Sequence, residues 1–123
     1  MKTIICGSRA LTAKGYDFKI IDTAVKMSGF KITEVIHGDC RGPDRWSGTW
    51  AWQNNIPVRK FPAQWIVNGK QDLSAGFKRN IEMAKEAQAC IAILAVNSKS
   101  HGTRHMIATA KQHKLQLYIF EID

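Results

Sequence analysis

Apolar residues in the chain gather into five short runs, and the segments between them follow a different periodicity. The runs occupy residues 2–6, 35–37, 56–61, 90–96 and 117–120. Runs that are apolar at successive positions are typical of strands buried on both faces of a parallel sheet. The run at 90–96 is the most apolar of the five, so we expect it to be a central strand.

Four helices are predicted between these strands, because the intervening apolar residues recur with a period of 3.6. They lie between Asp17 and Gly29 and over residues 43–54, 76–88 and 102–114. In the third helix, Phe77, Ile81 and Ala84 are expected to face the core. The polar segment 62–76 is predicted to be a long loop, and loops of that length in compact domains are usually functional or mobile.

Strands and helices alternate along the whole chain, and the connections are too long for hairpins. This order predicts one domain over residues 1–123, with an α/β, Rossmann-like, three-layer sandwich and a mostly parallel five-stranded sheet. We expect the strand order 3-2-1-4-5, in which the chain reverses between strands one and four. Ligands bind beyond the carboxyl ends of the strands at such a crevice. The loops that begin at Gly7 and Asn97 should meet there, with the turn after residue 37 alongside.

The turn between the second strand and the second helix has residues suited to phosphate. Gly38 and Gly42 permit close approach to the backbone, and Pro43 suits the first position of a helix. Unpaired amides at a helix start form an anion site, and Arg41 adds a forked cationic donor.

The same turn also fits an ordinary strand-to-helix connection, since glycine, aspartate and proline populate such turns for backbone reasons alone. Asp39 and Asp44 would repel a phosphate unless they hold hydroxyl groups or the helix terminus. Spacing by itself leaves both interpretations open.

Charge favours an anionic partner. The 123 residues carry 18 Lys and Arg against 10 Asp and Glu, a net charge of +8, which attracts nucleotides, nucleic acid or acidic surfaces. Three cysteines without paired spacing argue against a disulfide scaffold. No signal peptide or membrane-spanning segment is evident, so we expect no membrane partner and a cytoplasmic location.

Six motifs, in this order and spacing, resemble the SLOG superfamily, specifically its YspA-like (YspA/cpYpsA-related) branch. The motifs are GSR at 7–9, HGDCRGPD at 37–44, FPAQW at 61–65, GK at 69–70, GFKRNIEM at 76–83 and HGT at 101–103. More distant relatives are the LOG phosphoribohydrolases and the DprA/SMF proteins. The resemblance covers almost the whole chain.

The resemblance implies a nucleotide or nucleotide-derived ligand, such as an ADP-ribose-type or NAD-derived signal. A module of this size with no effector domain would act by sequestering that signal, and its relatives imply a homodimer or higher homo-oligomer. No cofactor or metal is expected: His101 and His105 have the spacing of a metal pair but no third ligand. The residues expected to bind the ligand are Gly7, Ser8, Arg9, His37, Gly38, Arg41, Gly42, Asp44, Trp65, Lys70, Arg79, Asn80, Ser100, Gly102 and Thr103.

Departures from the family pattern favour binding over catalysis. The GGxGT glycine pair is lost, and Arg104, His105 and Met106 stand where the LOG enzymes have a catalytic glutamate. We therefore expect no catalytic residue. One alternative is a nucleotide N-glycosidase that uses Asp44 or Asp39. Another is a single-stranded nucleic-acid module, suggested by the basic charge and four tryptophans, although the basic residues form no single stripe.

Overall fold

Five parallel strands form the central sheet of the computed structural model, which describes all residues from Met1 to Asp123. The strands of the chain are β1 (Lys2–Gly7), β2 (Glu34–His37), β3 (Val58–Lys60), β4 (Ile66–Val67), β5 (Lys70–Gln71), β6 (Ala89–Ala95) and β7 (Gln116–Ile122). The sheet has the order β3-β2-β1-β6-β7, and β4 and β5 form a separate hairpin. With the hairpin left out of the count, the predicted order 3-2-1-4-5 is confirmed.

Helices cover both faces of this sheet. They are α1 (Ala10–Ala13), α2 (Lys19–Ser28), α3 (Pro43–Gln53), α4 (Ala75–Glu86) and α5 (His101–Gln112). Side chains of α2 and α3 pack into one apolar cluster with one face of the sheet. Side chains of α4 and α5 pack into a second cluster on the opposite face. The predicted α/β three-layer sandwich is thus confirmed.

The uninterrupted apolar run of β6 follows from its central position. Successive side chains of a strand point to opposite faces of the sheet. Ile91 and Ile93 belong to the cluster beneath α2 and α3, whereas Cys90, Ala92 and Leu94 belong to the cluster beneath α4 and α5. Both faces of β6 therefore demand apolar residues, as the sequence pattern indicated.

The segment predicted as a long loop contains the β4–β5 hairpin instead. Asn68 and Gly69 form its turn, with φ angles of 53° and 75°. Positive φ at both central residues is the geometry that favours Asn-Gly in two-residue hairpins. The prediction of a structureless loop was wrong here because the strands have only two residues each, too few for a visible alternation.

The predicted inward face of α4 was wrong for two of its three residues, Phe77 and Ile81, and confirmed for Ala84. Phe77 and Ile81 are 46% and 40% exposed, while Asn80, Met83 and Ala84 are buried. The helix is rotated because the amide of Asn80 binds α5, where its nitrogen donates to the Gly102 carbonyl at 3.2 Å and contacts His105 Nδ1 at 3.1 Å.

None of the five helices combines the length and the apolar character needed to cross a membrane.

Close packing at the end of β1 makes Gly7 intolerant of a side chain. A Cβ there would lie 2.6 Å from the Ile93 carbonyl oxygen and 2.6 Å from a ring carbon of Pro43. We expect Gly7→Ala to lower the free energy of unfolding by about 1–3 kcal/mol, the usual cost of overpacking, as measured by urea denaturation. Gly102→Ala is the matched control, because a Cβ at Gly102 meets nothing within 4 Å. Equal stability of the two variants would contradict the packing argument.

Candidate functional site

A cavity of about 400 Å³ lies where the carboxyl ends of β1 and β6 diverge, at the reversal point of the sheet. We call it the switch-point cavity. The turn after β1, the first turn of α5, the inward side of α4 and Trp65 line it. Its volume falls within the range of small-molecule sites, and its position is the one where α/β sheets of this kind bind ligands.

A chain of three serine hydroxyls holds the two turns of this cavity together. Ser8 Oγ accepts a hydrogen bond from the amide of Ala95 and contacts Ser100 Oγ, which in turn contacts Ser98 Oγ. Ser98 donates its proton to the Ala95 carbonyl. Each hydroxyl has a single proton, so Ser100 must donate to Ser98 and Ser8 must donate to Ser100. Ser8 and Ser100, both predicted to bind the ligand, thus use their protons to fix the turns.

The first turn of α5 presents unpaired donors to the cavity. Ser100, the N-cap residue, has a left-handed backbone (φ 46°, ψ 46°) and makes no capping hydrogen bond with its side chain. Arg104 donates the first amide bond, to the Ser100 carbonyl, which leaves the amides of His101, Gly102 and Thr103 without helical partners. The Thr103 residue is only 6% exposed and its hydroxyl has no hydrogen-bond partner in the protein. This turn can therefore receive an acceptor-rich group such as phosphate.

Side chains of Asp44 and His37 accept hydrogen bonds from the first three amides of the glycine-rich turn after β2. Asp44 Oδ2 accepts hydrogen bonds from the amides of Gly38 at 3.0 Å and Cys40 at 3.5 Å. The Asp39 amide donates to His37 Nδ1 at 2.9 Å. The carboxylate of Asp44 also lies in the first turn of α3, where it complements the positive end of the helix dipole. Three amides of this turn, those of Gly38, Asp39 and Cys40, are thus paired within the turn.

Arg79 fastens that turn to the loop after β3. Its Nη1 donates to the carbonyls of Gly38 at 2.5 Å and Phe61 at 3.2 Å, and its Nε donates to Asn80 Oδ1 at 3.1 Å. Its Nη2 lies 3.5 Å from the sulfur of Cys40. A Cβ on Gly38 would occupy the space of the guanidinium. Glycine is required at position 38 for this reason, and Arg79 serves mainly to position the two loops.

Arg9 is the least engaged cation of the cavity. Its side chain is exposed, and its only polar contact is a long one of 3.9 Å between Nη2 and the sulfur of Cys40. Since the guanidinium is permanently charged and forked, it remains available for an anionic ligand.

Aromatic and apolar side chains form the outer end of the cavity. Trp65 covers Gly76, where an added Cβ would lie 3.3 Å from the indole ring. Phe77 stacks on the imidazole of His105 with ring centroids 4.1 Å apart. Leu73, which also lines the cavity, is 82% exposed. This end offers flat apolar surfaces beside the polar turn of α5.

Burial shifts two titratable groups near the turn in opposite directions. Burial raises the pKa of the Asp44 carboxyl to about 6, although Arg79 and the two amides act to lower it. Burial lowers the pKa of His37 to about 4, against the opposing effect of Asp39. His37 is therefore neutral near pH 7, and Asp44 titrates close to physiological pH.

Most of the predicted ligand residues come together at this cavity. Its lining includes Gly7, Ser8, Arg9, Asp44, Trp65, Arg79, Asn80, Ser100, Gly102 and Thr103. Gly38 and Arg41 line an adjoining basin.

Three predicted residues lie elsewhere. His37 is buried against Gly48 on the other side of β2. Gly42, with φ 92°, packs against Thr12 and the backbone of Ser8 and Arg9. Lys70 is exposed in the β4–β5 hairpin.

Residues that the sequence analysis did not select also line the cavity, notably Cys40, Phe77, Ser98, His101 and Met106. Phe77 stands three residues before Asn80 on α4, so helical spacing alone could have revealed it. No spacing or motif in the sequence indicates that Cys40 lines the cavity. No three His, Cys, Asp or Glu side chains are grouped so that they could hold a metal ion.

A comparison with protein-family models matches residues 1–66, just over half of the chain, to the YAcAr family, described as the YspA, cpYpsA-related SLOG family. The protein belongs to this SLOG family. The match includes β1, β2 and the two turns that follow them. Membership indicates a nucleotide-related function. No curated protein and no solved structure matches the chain.

The pKa of Asp44 predicts how the stability of this SLOG protein depends on pH. In the folded state Asp44 takes up a proton near pH 6, but in the unfolded state only near pH 4. The contribution of Asp44 to the free energy of unfolding therefore grows as pH falls from about 6 to 4. The lowered pKa of His37 has the opposite effect on the free energy of unfolding over the same interval. Asp44→Asn can keep the amide contacts through its Oδ1. We expect the stability of this variant, relative to wild type, to rise by about 3 kcal/mol between pH 4 and pH 7.

Urea unfolding at several pH values measures this difference. Asp39→Asn is the matched control, because it removes a partly exposed carboxylate from the same turn. A constant difference between Asp44→Asn and wild type would contradict the buried, shifted carboxyl.

Proposed function

We propose that the protein binds a nucleotide or nucleotide-derived small molecule in the switch-point cavity. The observation that carries this proposal is the open first turn of α5. Its residues His101, Gly102 and Thr103 line the cavity, their amides have no helical partners, and the hydroxyl of Thr103 has no partner in the protein. SLOG membership supports the same chemistry.

The phosphate of the ligand would lie at this turn. Backbone amides and the positive end of a twelve-residue helix favour a negative group. Arg9, whose side chain is exposed, adds a cation to the lining of the cavity. The excess of 18 basic over 10 acidic side chains gives the whole molecule a field that draws anions to the site.

The base would lie against the aromatic end of the cavity. Trp65 and Phe77 both line it, and both are exposed. Base stacking on aromatic rings contributes about 1–3 kcal/mol per base. Together, a phosphate site and a stacking surface favour a nucleoside phosphate such as ADP-ribose over inorganic phosphate.

The ligand would be held without being altered. Arg104, His105 and Met106 follow Thr103 and supply no carboxylate. An ADP-ribose-type or NAD-derived signal would then be sequestered in the cavity, which is how such a protein could inhibit signalling.

The Thr103 hydroxyl provides the sharpest test. Thr103→Val keeps the shape of the side chain but removes a donor that has no partner in the protein, so the fold should be unaffected. We expect affinity for AMP and ADP-ribose to fall about tenfold, the effect of one hydrogen bond to a charged group, as measured by isothermal titration calorimetry. Adenosine, which lacks the phosphate, should bind both proteins equally.

Thr103→Ser is the matched control, because it retains the hydroxyl and should bind like wild type. A second pair of variants probes the backbone: Gly102→Pro removes one unpaired amide from the first helical turn, whereas Gly102→Ala keeps it. Flat titrations with every nucleotide, or equal affinities of the Val and Ser variants, would overturn the proposal.

Asp44 supports a second candidate function, hydrolysis of the bond between base and ribose. It is 5% exposed, lines the cavity and has a pKa of about 6, so part of the population is protonated near neutral pH. A protonated carboxyl can act as a general acid. It would give its proton to the departing base as water adds to C1′ of the ribose, and the proton lost by water would restore it.

Chromatography of AMP or ADP-ribose incubated with the protein tests this activity. Release of free adenine should increase as pH falls through 6, because the protonated form of Asp44 is needed, and Asp44→Asn should abolish it. Asp39→Asn is the control. Intact nucleotide at every pH would exclude this second function and leave binding as the only one.

A further inference from the structure

A second, strongly basic depression adjoins the switch-point cavity. We call it the arginine basin; its volume is about 680 Å³, and Arg9, Arg41, Arg45 and Arg79 line it together with the single acid Asp39. This is a denser concentration of positive charge than in the cavity itself, where two arginines face Asp44. Such a concentration creates a positive field that attracts anions.

The protein itself neutralises little of this charge. Arg45 contacts Asp39, with Nε 3.4 Å from Oδ1 and 3.2 Å from the carbonyl oxygen. Arg41 is exposed and has neither a hydrogen bond nor an ion pair. Arg9 has only its long contact with the sulfur of Cys40. At least two guanidinium groups of the basin are therefore free to bind a ligand.

The basin and the cavity adjoin each other. The residues that line both of them are Arg9, Cys40, Trp65 and Arg79. The guanidinium of Arg79 is fixed on the carbonyls of Gly38 and Phe61, and it forms a permanent part of this boundary. Arg9 and Trp65 are exposed and can make way for a ligand that spans both spaces.

We propose that the ligand extends from the cavity past Arg9 into the arginine basin and places a second phosphate there. This inference rests on the proposed function, and it narrows the ligand to nucleotide derivatives that carry at least two phosphate groups. The shared chemistry is a second phosphate group, held by forked guanidinium donors. That phosphate belongs to a phosphodiester in a linear dinucleotide and to a pyrophosphate in NAD or ADP-ribose.

The stacking surface supports a ligand of this length. Trp65 lines both spaces, so a base packed on one side of the indole lies beside the passage into the basin. A mononucleotide would fill the cavity and leave the arginines of the basin unpaired.

The experiment compares ligands of increasing length by isothermal titration calorimetry. The probes are the adenosine nucleotides pA, pApA and pApApA, together with ADP-ribose and NAD. We expect at least one ligand with two linked phosphates to bind about tenfold tighter than pA. The affinity for that ligand should also fall more steeply with added salt. If pApA binds more tightly than pA, the second phosphate is part of a phosphodiester. If ADP-ribose or NAD binds more tightly than pA, it is part of a pyrophosphate.

Arg41→Gln tests the basin directly. Because the side chain is exposed and unpaired, its loss should leave the free energy of unfolding unchanged. We expect it to reduce the affinity of the longer ligand about tenfold and that of pA less than twofold. Lys31→Gln is the matched control: it removes one positive charge from the opposite, amino-terminal edge of the sheet, in the connection before β2, and should change neither affinity.

Each other outcome overturns the inference in a distinguishable way. If pA binds and no two-phosphate ligand binds more tightly, the basin plays no part and the proposed function stands. If Arg41→Gln weakens pA and the longer ligand equally, the arginine acts only through the general field of the protein. If affinity keeps rising beyond pApA, the basin is part of a track for single-stranded nucleic acid. If no nucleotide binds, the proposed function and this inference fail together.

Discussion

The rim of the site depends on the position of one guanidinium group. Arg79, which projects from α4, bridges the carbonyls of Gly38 and Phe61 and so joins the turns that follow two adjacent strands. The bridge exists only because position 38 has no side chain. Since Arg79 also lines both the cavity and the arginine basin, the same contact organises the loops and divides the space between them. The walls are thereby arranged before any ligand arrives, which reduces the entropy that binding must overcome.

The three glycine-containing turns at this edge of the sheet have different roles, although all three have the composition of phosphate-binding turns. The turn after β1 is tied to the end of β6 through Ser8 and its neighbouring hydroxyls. The turn after β2 is occupied by its own carboxylate, Asp44. The turn that begins α5 keeps three amides without helical partners beside the cavity. In the proposed function, this helix start is the position of the phosphate.

The fold could be predicted well from the sequence because a strand that is buried on both faces of the sheet must be apolar at successive positions. The apolar run of β6 and the alternation of strands and helices predicted the layers and the strand order.

The site was predicted less completely. Motif spacing shows which residues lie near a turn, but it does not show which hydrogen bonds those residues already make within the protein. His37 was predicted to bind the ligand because it ends a strand and begins a motif, yet its ring is buried against Gly48, which has no side chain to exclude it. Phe77 was assigned to the core, although the polar contact of Asn80 with α5 turns it outward. The orientation of such side chains depends on which hydrogen bonds and packing contacts form between distant parts of the chain, and these can be read only from three-dimensional coordinates.

The β4–β5 hairpin has one more consequence. Its strands pair only with each other and not with the central sheet, yet the segment that begins it contributes Trp65 to the cavity. The hairpin adds no hydrogen bonds to the central sheet, so substitutions within its two strands should leave the sheet intact while changing how Trp65 is held beside the cavity.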